Sequence, residues 1–132
     1  MVKVLVIDGN PDHVETLAKT FAHYGCEVQT AADGQDGLRI AKETHPNLIV
    51  YDGMLQYKAW KFAGVLIEEV DPFGIDTHDR PYMVLLTQVP NRTQKALCEE
   101  MGFNEYVEKP VKGEDVLVSW IGKSTVHHTR KK

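Results

Sequence analysis

The sequence predicts one doubly wound α/β domain, a five-stranded parallel sheet with helices on both faces. Two observations predict it. Five short apolar runs alternate with stretches of helical periodicity, the pattern that wraps a parallel sheet in helices. The clearest run, Asn47-Leu48-Ile49-Val50-Tyr51-Asp52-Gly53-Met54, is apolar without polar alternation and stops on a carboxylate. A strand buried on both faces reads this way. At 132 residues, 42% apolar and 26% charged, the chain has the size and mixture of a single globular domain.

In order along the chain, Val2 to Ile7 is a buried strand ending on Asp8, and Asn10-Pro11 supplies a helix cap with proline at the first helical position. Val14, Leu17, Ala18, Phe21 and Ala22 form an apolar stripe that Gly25 ends. Glu27 to Ala31 is a short strand, and Asp33 caps a second helix through about Thr44, with Leu38 and Ala41 inward. The third strand is the run ending at Asp52. Lys58 to Val70 reads as a helix with Phe62, Leu66, Ile67 and Val70 inward, broken by Asp71-Pro72-Phe73-Gly74 and a polar loop to Arg80-Pro81. Tyr82 to Leu86 is the fourth strand, ending on Thr87. Asn91 caps a helix to about Met101, closed by Gly102. Asn104 to Val107 is the fifth strand, followed at once by Glu108-Lys109-Pro110. The last helix spans about Gly113 to Gly122, with Val116, Leu117, Trp120 and Ile121 apolar and Glu114 and Asp115 in its first turn. The domain is expected over residues 1–123, with 124–132 a flexible basic tail or the start of a linker, since Arg130-Lys131-Lys132 is the chain's basic cluster.

Composition narrows the function classes. A net charge of −4 argues against direct nucleic-acid binding, which calls for a basic face. No run reaches the ~20 apolar residues that span a bilayer, and Val2 to Ile7 is too short for a signal peptide. Cys26 and Cys98 lack C-x-x-C spacing and read as reduced thiols of a cytoplasmic protein. The six histidines are scattered, and His127-His128 is too isolated for a metal site.

In an open α/β sheet, ligands bind beyond the carboxyl ends of the strands. Asp8, Asp52, Thr87 and Lys109 all stand at such ends. Two carboxylates suit a hard cation such as Mg²⁺; a lysine and a hydroxyl suit an oxyanion; and a carboxylate beside a metal is a competent nucleophile toward phosphorus. Blander readings stand beside these. Asp52 as a cap, Asp8 as a structural partner of Lys109, Thr87 as a plain strand-end hydroxyl and Tyr106 as core with a wet hydroxyl are each chemically ordinary. Trp60 and Phe62 read as packing residues, with an exposed Tyr57/Trp60 docking pair as the alternative, and Glu68, Glu69, Glu99 and Glu100 read as solvated helix faces.

Taken together, Val4-Leu5-Val6-Ile7-Asp8, Pro46 through Met54, Val84-Leu85-Leu86-Thr87 and Glu105-Tyr106-Val107-Glu108-Lys109-Pro110 resemble a response-regulator receiver domain of two-component signalling, over roughly residues 3–122. The resemblance implies a flavodoxin-like fold and the following roles. Asp52 is the phosphoacceptor, and Asp8, Asp52 and the Met54 backbone carbonyl are Mg²⁺ ligands. Thr87 and Lys109 bind the phosphoryl oxygens, and Thr87 with Tyr106 forms the switch. It implies a cis Lys109-Pro110 bond, a sensor histidine kinase or phosphotransfer protein as donor, a downstream protein target, and a homodimer through the fourth-helix, fifth-strand face as an option. It implies a phosphoacceptor that assists its own phosphotransfer, with no separate turnover.

Departures accompany the resemblance. Receivers normally carry two adjacent acids after the first strand; here the second is Gly9, so weaker Mg²⁺ binding is expected, with Asn10 or Asp12 as substitute oxygen donors. Gln56 and Trp60 replace the usual proline and glycine, Gln88 replaces a small residue and could shield the phosphoryl site, and the connection through Asp71 to Arg80 is longer than usual. The alternative function is therefore an atypical receiver, a phosphorylation-independent protein-interaction module. A third, an aspartate-nucleophile phosphatase, requires an acid two residues beyond its nucleophile, which Asp8-Gly9-Asn10 lacks.

Overall fold

The computed structural model describes residues 1–52, 56–71, 80–88 and 90–129. Strands β1 (Lys3–Ile7), β2 (Glu27–Ala31), β3 (Leu48–Asp52), β4 (Tyr82–Thr87) and β5 (Glu105–Glu108) alternate with helices α1 (Pro11–His23), α2 (Gly34–Thr44), α3 (Gln56–Val70), α4 (Arg92–Glu100) and α5 (Glu114–Thr129). The five strands form one parallel sheet in the order β2-β1-β3-β4-β5. This is the doubly wound architecture that the alternation predicts and the flavodoxin-like one that the resemblance implies.

The two-residue period of the strands splits the core in two. Leu5, Ile7, Ile49, Tyr51, Met83 and Leu85 face Ile40 and Ala41 of α2, Phe62 and Leu66 of α3 and Cys98 of α4. Val4, Val6, Leu48, Val50, Val84 and Leu86 face Leu17 and Phe21 of α1 and Leu117 and Trp120 of α5. Because both sides of each central strand are covered, their apolar runs carry no alternation.

Local chemistry sets the helix starts. The Asn10 side chain accepts from the Asp12 and His13 amides at 3.0 and 3.3 Å, with Pro11 at the first helical position. Asp33 accepts from Asp36 N at 2.8 Å, and Asn91 from Thr93 N and Gln94 N at 2.9 and 3.1 Å. Gly25, at φ +83°, follows α1 in the left-handed region.

The C-terminus differs from expectation. Helix α5 runs past Gly122 to Thr129, and Ser124 is fully buried, its Oγ donating to the Ile121 carbonyl at 2.8 Å. Residues 124–129, expected as flexible tail, are therefore helical; Gly122 sits inside the helix rather than ending it. The Arg130-Lys131-Lys132 cluster and the Pro72-Phe73-Gly74 break lie outside the described residues. At the margins of that loop, buried Asp71 accepts from Arg80 Nε at 3.0 Å, tying its two ends together.

Candidate functional site

Parallel pairing brings the polar strand ends to one edge. Ile7 is in register with Tyr51, and Asp52 with Leu86, so Asp8, Asp52 and Thr87 emerge side by side from β1, β3 and β4. On the far side Thr87 pairs with Glu108, and the Lys109 amide donates to the Thr87 carbonyl at 2.7 Å, so the chain turns with Lys109 aimed back at the edge. The Lys109-Pro110 peptide is cis, as the resemblance implies.

Four side chains meet there. Lys109 Nζ forms a hydrogen-bonded ion pair with Asp52 Oδ2. Asp8 Oδ2 accepts the Nδ1 position of His13, which also lies 3.7 Å from Asp52 Oδ2. Asp8 Oδ1 accepts the Asn10 amide at 2.9 Å. Asp8 and Thr87 are buried, and the Asp52 and Lys109 side chains keep 12% and 15% of their exposure. Burial pushes the Asp52 carboxyl above the ordinary aspartate range; the bond from Lys109 pulls it down, and the charge of Asp8 pushes it up again.

Reasoning from sequence missed His13. The signal was there: Pro11 is the first helical residue after an acidic strand end, and the Asn10 cap binds the His13 amide, which turns that third helical residue over the pocket. The Asn10 side chain is spent on capping α1, and Asp12 is exposed.

Tyr106 is half-buried against the α2–α3 side of the core, and its hydroxyl accepts the Asn91 amide at 3.3 Å, linking β5 to the cap of α4. Trp60 packs on the same core, with its indole N–H directed at Cys98 Sγ at 3.0 Å. Gln88 is exposed, as are Glu68, Glu69, Glu99 and Glu100. The Met54 carbonyl and the Tyr57 side chain lie outside the described residues.

Could these residues hold Mg²⁺? Asp8 and Asp52 offer the carboxylate oxygens that a hard cation takes, while the third donor within reach is a nitrogen, His13 Nδ1. Among the described residues, two of these three donors are of the kind that Mg²⁺ takes.

Fold and pocket define a class: an α/β domain whose strand-end edge holds acids, a lysine and a hydroxyl where a cation and an oxyanion can meet. The chain belongs to the response regulator receiver domain family, whose model matches residues 4–120. It is 30% identical to Protein PilG of Pseudomonas aeruginosa over 116 residues, 88% of this chain and 82% of that protein. It is also 30% identical over 113 residues to a probable transcriptional regulator, ycf27, of Cyanophora paradoxa, covering 82% of this chain and 42% of the relative. The chain therefore spans less than half of the ycf27 relatives. Among solved structures, a CheY-like receiver domain protein from Methanospirillum hungatei superposes at TM-score 0.81 with 17% identity, covering 98% of both chains. Receiver domains are signalling domains rather than classical enzymes. Among the described residues no helix is long and apolar enough to cross a membrane.

Proposed function

We propose that this receiver accepts a phosphoryl group on Asp52 from a histidine kinase or phosphotransfer protein and so switches a protein-interaction surface in the cytoplasm. The supporting observation is the ion pair of Lys109 with Asp52 at the end of the central strand, between buried Asp8 and Thr87. An Asp52 oxygen attacks phosphorus as the N–P bond to the donor imidazole breaks, giving an acyl phosphate. Lys109 then pairs with the phosphoryl oxygens and the Thr87 hydroxyl hydrogen-bonds to them. A bound Mg²⁺, held by Asp8, Asp52 and the Met54 carbonyl, would offset negative charge. Movement of Thr87 carries to Tyr106, whose hydroxyl touches the α4 cap, so the α4–β5 face is the output surface for a downstream protein or a second copy.

One observation favours a second reading. Gly9 brings no carboxylate, and His13 already occupies one oxygen of Asp8. On that reading the domain is an interaction module that works without phosphorylation. Incubation with acetyl phosphate, with and without Mg²⁺, followed by intact-mass measurement beside an Asp52→Asn control decides between them. A Mg²⁺-dependent adduct absent from the control supports the phosphoacceptor. A folded sample that never gains the adduct transfers the function to the second reading.

A further inference from the structure

The acidic pocket also holds an imidazole, that of His13. One donor atom each from Asp8, His13 and Asp52 lie within 4.8 Å of one another, and they come from β1, the first turn of α1 and the end of β3. The His13 side chain is 24% exposed, against 5% and 12% for Asp8 and Asp52, so solvent reaches the cluster from the histidine side. Bonds of about 2.1 Å to a tetrahedral ion set ligand atoms roughly 3.4 Å apart. The 3.7 Å between His13 Nδ1 and Asp52 Oδ2 is within a few tenths of that spacing. Binding then needs the hydrogen bond between Asp8 and His13 to open, after which the ion takes its place between them.

The donor set selects the ion. Mg²⁺ takes oxygen and water, whereas imidazole nitrogen suits first-row transition dications. We propose that Asp8, His13 and Asp52 form a mixed nitrogen–oxygen site for a transition dication such as Zn²⁺, with His13 as a ligand where Gly9 supplies none. Lys109, on the same oxygen of Asp52, is the facing cation and limits the site to sharing that carboxylate rather than owning it. The inference deepens the reading of this pocket as a cation-assisted phosphoacceptor, but its test uses no phosphodonor, so either can fail alone.

The experiment is calorimetric titration of the full chain with Zn²⁺ and, separately, Mg²⁺, comparing the unmodified protein with His13→Ala and Gly9→Asp. Far-ultraviolet circular dichroism checks that each variant is folded; His13 is a partly exposed helix position, where alanine is well tolerated. His13→Ala should weaken Zn²⁺ by at least the 10–100-fold that loss of a mere supporting partner costs, while Mg²⁺ changes less than about threefold. Gly9→Asp should strengthen Mg²⁺, since a Cβ there meets nothing nearer than the Ala32 carbonyl at 3.7 Å. Co²⁺ absorption gives a second readout, its ligand-field bands in the unmodified protein shifting on removal of His13. Unchanged Zn²⁺ affinity in His13→Ala would overturn the proposal by placing the ion elsewhere. Equal losses for Zn²⁺ and Mg²⁺ would also overturn it, reducing His13 to a positioning residue for Asp8.

Discussion

Removing the Lys109 charge tests whether the pocket is held together electrostatically. In Lys109→Met the unbranched stem is kept and the ammonium lost. Asp52 is then left with Asp8 beside it and the His13 nitrogen at 3.7 Å. Breaking a buried pair typically costs 3–5 kcal/mol, and exposed pairs are worth under about 1 kcal/mol. With 15% and 12% of the two side chains still exposed, the loss should be about 2–4 kcal/mol. For a domain of this size that is a fall in Tm of roughly 6–16 °C. Asp52→Asn should cost less, about 1–2 kcal/mol, because it leaves the Lys109 ammonium without this partner but also removes a carboxylate that burial and Asp8 both disfavour. The decisive sample is the double variant. If charge is the cause, Lys109→Met/Asp52→Asn recovers most of the loss, a coupling of about 2 kcal/mol or more. Urea denaturation at pH 7 in the presence of a chelator measures all four corners. A double variant as unstable as Lys109→Met alone would refute the reasoning and assign the loss to packing of the lysine stem.

Two further outcomes are expected. Burial alone would raise the Glu105 carboxyl, but bonds from Tyr82 at 2.6 Å, Lys123 at 3.0 Å and Trp120 at 3.2 Å outweigh it and hold it below the usual glutamate range. A depressed carboxyl contributes stability above its unfolded pKa that is lost as pH falls through the folded value. Glu105→Gln should therefore cost about 1–2 kcal/mol at pH 7, with the gap closing on acidification, as read by urea midpoints across pH; a gap independent of pH would contradict this. At the start of α2, a Cβ on Gly34 would lie 2.4 Å from the Tyr51 hydroxyl but 3.4 Å from its ring carbon. Gly34→Ala should lose about 1–3 kcal/mol in thermal melts, and adding Tyr51→Phe should recover it, whereas no recovery would place the strain in the backbone.

The sheet was legible because its central strands are buried on both sides, which leaves Leu48-Ile49-Val50-Tyr51 and Tyr82 to Leu86 apolar without interruption. Helix starts were legible because Asn10, Asp33 and Asn91 are caps whose chemistry is local. The end of α5 was not. Gly25 and Gly122 look alike in sequence, yet Gly25 takes a left-handed φ of +83° and Gly122 continues a helix. The network joining Tyr82, Glu105, Trp120 and Lys123 was hidden for a different reason, since it spans two strands and a helix and has no spacing to betray it. Placing Asp8, Asp52, Thr87 and Lys109 at one edge followed from strand ends alone. That His13 joins them depends on the direction of one side chain at a helix start.

Glycine at position 9 is not a requirement of the fold. It is exposed, needs no left-handed backbone, and a Cβ there would make an ordinary contact with the Ala32 carbonyl at 3.7 Å. Its meaning therefore lies in the charge of the pocket. With an acid at position 9 the pocket would hold three carboxylates; here it holds Asp8 and Asp52, with the His13 imidazole beside them and Lys109 paired to Asp52. One unit charge about 4 Å away is worth roughly 4 kcal/mol near a protein surface, before solvent and counter-ions reduce it. An acid restored at position 9 is therefore expected to tighten Mg²⁺ binding, which titration of Gly9→Asp beside the unmodified protein measures. Among the described residues, the side-chain nitrogens in contact with the pocket's two carboxylates are those of His13 and Lys109, so the comparison of Gly9→Asp with the unmodified protein reads the charge of the pocket against a fixed set of partners.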